Sequence, residues 1–175
     1  MGEVTYVDDA ARSEFLTFVH GRTASLFRVA YALSGQQHAA EDLLQTGLEK
    51  LALRWRRIED PEAYAKRVMY HEFVTWHRRR RIKEVLTANL PDRTPAPDPS
   101  RTVDLRRALV AALATLPPRQ RAVLVLRYLE DHTDTEIARI MGCSRPTVSS
   151  QAHRALARLR ARCPELSDTY EETRS

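Results

Sequence analysis

Between Asp134 and Arg160 the chain reads DTEIARIMGCSRPTVSSQAHRALARLR, and no other stretch constrains the fold as tightly. Ile137, Ile140 and Met141 recur at helical spacing, and Ala138 is small enough to let a second helix approach. Gly142 follows, a residue that enters a left-handed turn without a Cβ penalty. Ser144 suits the N-cap of a second helix and Pro146 its first turn, where a missing N–H costs little. In that helix Val148, Ala152, Ala155, Leu156 and Leu159 form an inward stripe. Thr147, Ser150, Gln151, Arg154 and Arg158 fall opposite, flanked by Ser149 and His153. A helical hairpin with a merely solvated basic face is the alternative. Turn, cap and stripe agree instead on a helix-turn-helix, whose second helix reads duplex DNA. Arg and Gln can bond base edges bidentately, while Ser and Thr reach bases or phosphates.

The rest of the chain is also helical in pattern. Residues 13–34 carry Phe15, Phe18, Val19, Leu26, Val29, Ala30 and Leu33 at helical spacing and stop at Gly35. Residues 39–55 continue with Leu43, Leu44, Leu48, Leu51 and Ala52. Asp60 caps and Pro61 starts a third helix reaching about Arg81. Farther on, residues 103–115 place Leu105, Ala108, Leu109, Ala112 and Leu113 inward and are stopped by Pro117 and Pro118. Residues 119–129 form the next helix. Between the halves, TANLPDRTPAPDPSRT at 87–102 holds four of the nine prolines and almost no apolar periodicity. That is the composition of a linker rather than of a loop inside one fold. The expectation is an all-α protein of two small helical domains, 13–86 and 103–163, joined by a flexible proline-rich linker at 87–102.

A net charge of +5 favours an anionic partner, and the basic residues gather at 54–57, 78–81 and 154–162. Lys50, Lys66 and Lys83 are the only lysines, so nearly all of this charge is arginine. Cys143 and Cys163 are too far apart for a redox pair, and the packing of Cys143 in the core is the default. The histidines do not cluster at metal-binding spacing, and no phosphate loop or catalytic signature occurs, so no metal, cofactor or enzymatic activity is expected. The N-terminus has no basic segment followed by an apolar one, and no run is long enough to span a bilayer, so a cytoplasmic protein without a membrane partner is expected.

Two longer segments narrow the class. AEDLLQ at 40–45, followed after a spacer by DPEAYAKRVMYHEFVTWHRRRR, resembles region 2 of the extracytoplasmic-function sigma factors of bacterial RNA polymerase, in the sigma-70 family. LPPRQRAVLVLRYLEDHTDTEIARIMGCS with TVSSQAHRALARLR resembles region 4 of the same family. The order, the intervening linker and the coverage of most of residues 13–162 fit this family, with the pattern of its SigE-like subgroup.

The resemblance implies a task for each part. Region 2 binds the clamp helices of the largest subunit of core RNA polymerase, with Asp42, Leu43 and Gln45 at the matching positions, and region 4 meets the flap. The helix from Pro61 captures and melts the minus-10 promoter element, and Arg67, His71, Arg78 and Arg81 lie on one stripe of it, with Arg79 and Arg80 adding to the same field. Trp76, among apolar neighbours, reads as core, with stacking on a displaced base as the alternative. The recognition helix reads the minus-35 element of the promoter DNA, with Ser150, His153 and Arg154 at the usual contact positions. Members of this family are commonly restrained by an anti-sigma factor. His71 departs from the family's frequent asparagine, Ser149 from its basic residue, and Gln151 and His153 also vary, which implies a changed base preference. A stand-alone helix-turn-helix repressor or activator is the alternative.

Overall fold

The computed structural model describes residues 3–86 and 101–162, with side chains over 9–80 and 107–162, and every regular element among them is helical. The first half holds α1 (Glu3–Ser34), α2 (Gln37–Ala52), a 3-10 turn (Trp55–Arg57) and α3 (Pro61–Leu86). The second holds α4 (Arg101–Ala114), α5 (Pro118–Leu124), a π-helical turn (Val125–Leu129), α6 (Asp134–Met141) and α7 (Arg145–Arg162). Of the expected linker, residues 87–100 lie outside the described residues, while Arg101 and Thr102 already belong to α4.

α1, α2 and α3 pack on one another around Leu26, Val29, Leu33, Leu51, Met69 and Phe73, all of them buried. α1 stops where Gly35 takes a left-handed φ of 75°, its N–H donating to the Tyr31 carbonyl at 2.8 Å. α3 starts where the Asp60 carboxylate accepts the Ala63 N–H at 3.0 Å, an N-cap of the expected kind. At the α2–α3 contact a Cβ on Gly47 would stand only 3.0 Å from Cγ of Met69, so glycine there sets how closely the two helices approach. α2 ends at Ala52 rather than at Trp55 as the sequence predicts. Trp55 instead turns back onto Phe15 and Phe18, with ring centroids at 5.3 and 5.4 Å. Each such aromatic pair contributes about 0.5–1.5 kcal/mol beyond its buried area, a tertiary gain that outweighs another turn of helix.

In the second half the helix expected to run to Leu129 loses its α-helical register after Leu124. Ala122 to Leu126 are buried on every side, which an apolar run without amphipathic period allows. The halves do not stand apart: one apolar cluster joins Val29 and Phe73 to Ala122, Leu126 and Ile137.

Candidate nucleic-acid interface

The helix-turn-helix is built as its sequence dictates. Thr133 caps α6 with a reciprocal box, its hydroxyl accepting the Glu136 N–H while the Glu136 carboxylate accepts the Thr133 N–H at 2.7 Å. The Thr133 N–H, and then the Thr133 hydroxyl donating to the same carboxylate at 2.8 Å, hold the Glu136 carboxyl below its usual range. Gly142 makes the turn with φ 64° and ψ 41°. The Ser144 hydroxyl accepts the Thr147 N–H at 3.4 Å and opens α7. Val148, Ala152 and Ala155 face inward and are buried, with Leu156 and Leu159 partly so. Cys143 packs against the same core.

The outer face of α7 presents Ser149, Ser150, His153, Arg154 and Arg158, all exposed, with Thr147 and Gln151 half-buried. The hydroxyls already have local partners: Ser150 donates to the Thr147 carbonyl at 3.0 Å, and Thr147 shares a 2.9 Å hydrogen bond with Ser144. Arg154 and Arg158 are the longer reach of this face, with donors in a fork that suits base edges and phosphates.

α3 presents a second basic stripe. Arg67, His71, Arg78 and Arg79 are exposed, and Arg80 is half-buried with its guanidinium 5.6 Å from the Trp76 ring centroid. The Arg81 side chain lies outside the described residues. Although its side chain reaches solvent, partial desolvation against the helix, and then the Arg67 charge, lower the His71 pKa below 6.5. The imidazole is therefore neutral at physiological pH, with one donor and one acceptor, so it can both donate and accept as an asparagine amide does, with one donor fewer. Trp76 is half-buried and packs against the core.

The residues expected to meet polymerase separate into two kinds. Asp42 and Gln45 are exposed on α2, Gln45 donating to Glu49 at 2.8 Å. Leu43 is only 8% exposed and belongs to the apolar cluster, so its side chain lies in the core beneath Asp42 and Gln45 rather than on the surface.

Two buried cations escaped the sequence reading. Lys66, 4% exposed on α3, donates to Glu62 at 2.9 Å and to Glu130 of the second half at 2.6 Å, with His132 Nε2 at 3.3 Å. Burial works against its charge, but its hydrogen bonds to Glu130 and Glu62 outweigh that and raise its pKa above 10.5. Arg121, 3% exposed on α5, donates to the carbonyls of Leu33 at 2.6 Å, Ala114 at 2.8 Å and Leu116 at 3.4 Å, and lies over the Phe73 ring. Burial lowers its pKa to about 10, which leaves it charged at neutral pH. The visible signal for Lys66 was a rare lysine in an arginine-rich chain, four residues after Glu62.

Among the described residues no helix is long and apolar enough to cross a membrane, and no cluster of His, Cys, Asp or Glu could hold a metal ion. Family models match on both sides: Sigma-70 region 2 over residues 15–82 and Sigma-70 region 4 over 106–159. The RNA polymerase sigma-E factor of Streptomyces coelicolor is 41% identical over 150 residues, 84% of each chain. The ECF RNA polymerase sigma factor SigE of Mycolicibacterium smegmatis is 34% identical over 87% of this chain and 63% of its own length. Among solved structures, the sigma factor RpoE of Bartonella quintana, in complex with the anti-sigma factor NepR, superposes with a TM-score of 0.72 at 25% identity, over 85% of this chain and 95% of its own. A match over 85% of the chain takes in both halves together. CnrH, in complex with the cytosolic domain of CnrY, shares the fold, with a TM-score of 0.62 at 20% identity over 88% of this chain and 92% of its own. A stand-alone repressor or activator is not favoured by these matches. With both regions in order and the relatives' identity spread over most of its length, the chain belongs to the extracytoplasmic-function sigma factors, the DNA-binding subunits that direct RNA polymerase to promoters and initiate transcription.

Proposed function

We propose that the two exposed basic faces are the two reading heads of this sigma factor. The stripe Arg67, His71, Arg78, with Arg79, Arg80 and Arg81 beside it, takes the minus-10 element and holds its displaced strand. The face Thr147, Ser149, Ser150, Gln151, His153, Arg154 and Arg158 takes the minus-35 element. The observation that carries this reading is that α3 and α7 each bury one stripe and leave the adjacent basic stripe exposed. Asp42 and Gln45 meet the clamp helices of the largest polymerase subunit, and residues 103–163 meet the flap. All bond-forming chemistry belongs to the polymerase, the factor works in the cytoplasm, and an anti-sigma factor restrains it, as NepR accompanies the Bartonella protein. The division into 13–86, 87–102 and 103–163 follows the same roles.

Run-off transcription with purified core polymerase across a promoter library tests this reading. Specific initiation that depends on the factor, and that is lost when either face is neutralised, is the expected result. Tight polymerase-independent binding to a two-fold symmetric site would point to a stand-alone regulator instead.

A further inference from the structure

Between Glu62 and Arg81, α3 holds a single acid, Glu72, in a stretch otherwise charged by Lys66, Arg67 and the arginines at 78–81. It stands next to His71, at the edge of the stripe proposed to receive the displaced promoter strand. An unbalanced carboxylate there would repel phosphates within the Debye length, about 8 Å at physiological ionic strength. Its presence calls for a counter-charge.

The counter-charge comes from α2. Lys50 Nζ donates to Glu72 Oε1, and the two side chains stay partly open to solvent, at 48% and 38% exposure. They meet because α2 and α3 touch one turn earlier, where Gly47 comes against Met69. On its own helix Lys50 borders the polar face of Asp42, Gln45 and Glu49, where Gln45 already donates to Glu49. An ion pair this open to water adds little to stability. Its effect lies in where it holds the carboxylate and what charge it leaves beside His71.

His71 is the group that feels this charge. On its own helix Arg67 disfavours the imidazolium and Glu72 favours it. From α2, Lys50 acts through Glu72. The Tyr70 ring lies 5.1 Å from the His71 ring, and its hydroxyl feels Arg119 and Cys143 of the second half. With Lys50 in place the Glu72 carboxylate is offset, and the balance at His71 stays with the neutral ring.

We propose that Lys50 is a positioning residue for promoter opening. It acts through Glu72, holding that carboxylate toward α2 and cancelling its charge, so that His71 and the arginine stripe meet the strand without a competing anion.

The inference rests on the sigma reading, with His71 as the group that receives the strand, and the test separates the two. Lys50→Met, Glu72→Gln, the double variant and Lys50→Arg are compared as full chains with core polymerase. Circular dichroism controls for folding, fluorescence anisotropy reads core binding, and permanganate reactivity of promoter thymines reads opening across a pH series. Lys50→Met should open promoters about threefold to tenfold more slowly, the scale of coupling between neighbouring charges, with core affinity unchanged. Its acid-side decline should begin at a higher pH than in the wild type, because the released carboxylate favours the imidazolium. Adding Glu72→Gln should restore both the rate and the pH profile, and Lys50→Arg should match the wild type. If Lys50→Met does not fold, Glu72→Gln alone decides: it should open no more slowly than the wild type, with its acid decline at lower pH. A double variant as slow as Lys50→Met, or weakened core binding in Lys50→Met, would overturn the proposal, since Lys50 would then touch DNA or polymerase itself. So would a Lys50→Met chain that opens promoters like the wild type. A wild-type chain that binds no core and opens no promoter would instead overturn the sigma reading beneath.

Discussion

Nη1 of Arg121 reaches the backbone carbonyl of Leu33 at 2.6 Å, across 88 residues of sequence. The same guanidinium satisfies two carbonyls at the start of its own half, so it ties the α4–α5 turn and the end of α1 to one group. Arg121→Met would strip these buried acceptors of their donor and should lower stability by about 2–4 kcal/mol. Arg121→Lys should recover only part of the loss, because an ammonium lacks the planar fork. Urea unfolding followed by circular dichroism and by tryptophan fluorescence checks this. Trp55 and Trp76 both sit in the first half, so a fluorescence midpoint that fails to move would confine the role of Arg121 to the second.

His71 should matter for opening rather than for docking. His71→Ala is expected to slow open-complex formation, read by permanganate reactivity of promoter thymines, while duplex binding of the holoenzyme changes little. His71→Asn should restore much of the rate. Equal losses in both measurements would remove the melting role.

The same histidine gives a pH dependence with a defined sign. Its folded pKa lies below 6.5 because partial desolvation and Arg67 disfavour the charged form. The stability it contributes is present above pH 6.5 and is lost as the pH falls through that lowered value. Opening rates should decline over that acidic window in the wild type and stay level in His71→Asn. A common decline in both proteins would place the titrating group elsewhere.

Arg154 offers a test of direct reading. If its fork engages a base edge, Arg154→Ala should cost about 1–3 kcal/mol at the preferred minus-35 sequence and flatten preference at one position. A uniform loss on every sequence would make it a phosphate contact.

The cap of α6 should be measurable as well. Thr133→Ala removes the hydroxyl half of the capping box, while the N–H of residue 133 can still reach Glu136, and should cost about 1 kcal/mol. The depressed Glu136 carboxyl contributes stability that is present above its ordinary pKa of 4.5 and is lost as pH falls through the folded value. Thermal midpoints between pH 3 and pH 6 should therefore fall less steeply in Thr133→Ala than in the wild type. Parallel curves would count against the box.

Local patterns proved legible and long-range ones did not. Gly142, Ser144 and the stripe from Val148 to Leu159 specify their own backbone within a few residues, and the structure has the turn, cap and buried face they imply. Lys66 and Glu130 stand 64 residues apart by their numbering, and nothing in the neighbourhood of either announces the other. A lysine four residues after a glutamate reads as an ordinary surface pair. Motif position points Leu43 toward a partner, whereas its place in the apolar repeat of α2 points to the core, where its side chain lies. The run AVLVL at 122–126 offers no polar residue from which to read a period, so the change of register after Leu124 left no trace. Trp55 illustrates the opposite override, where an aromatic contact ends a helix that propensity alone would continue.

The close seat of Gly47 on Met69 has a mechanical consequence. α2 carries the surface proposed for polymerase and α3 the surface proposed for the promoter strand, and no side chain stands between them at this point. The two helices are consequently a single stiff part with no play at the joint. Wherever the polymerase positions α2, the angle at which α3 meets DNA is already set, and larger side chains at residue 47 would turn one surface relative to the other without touching either.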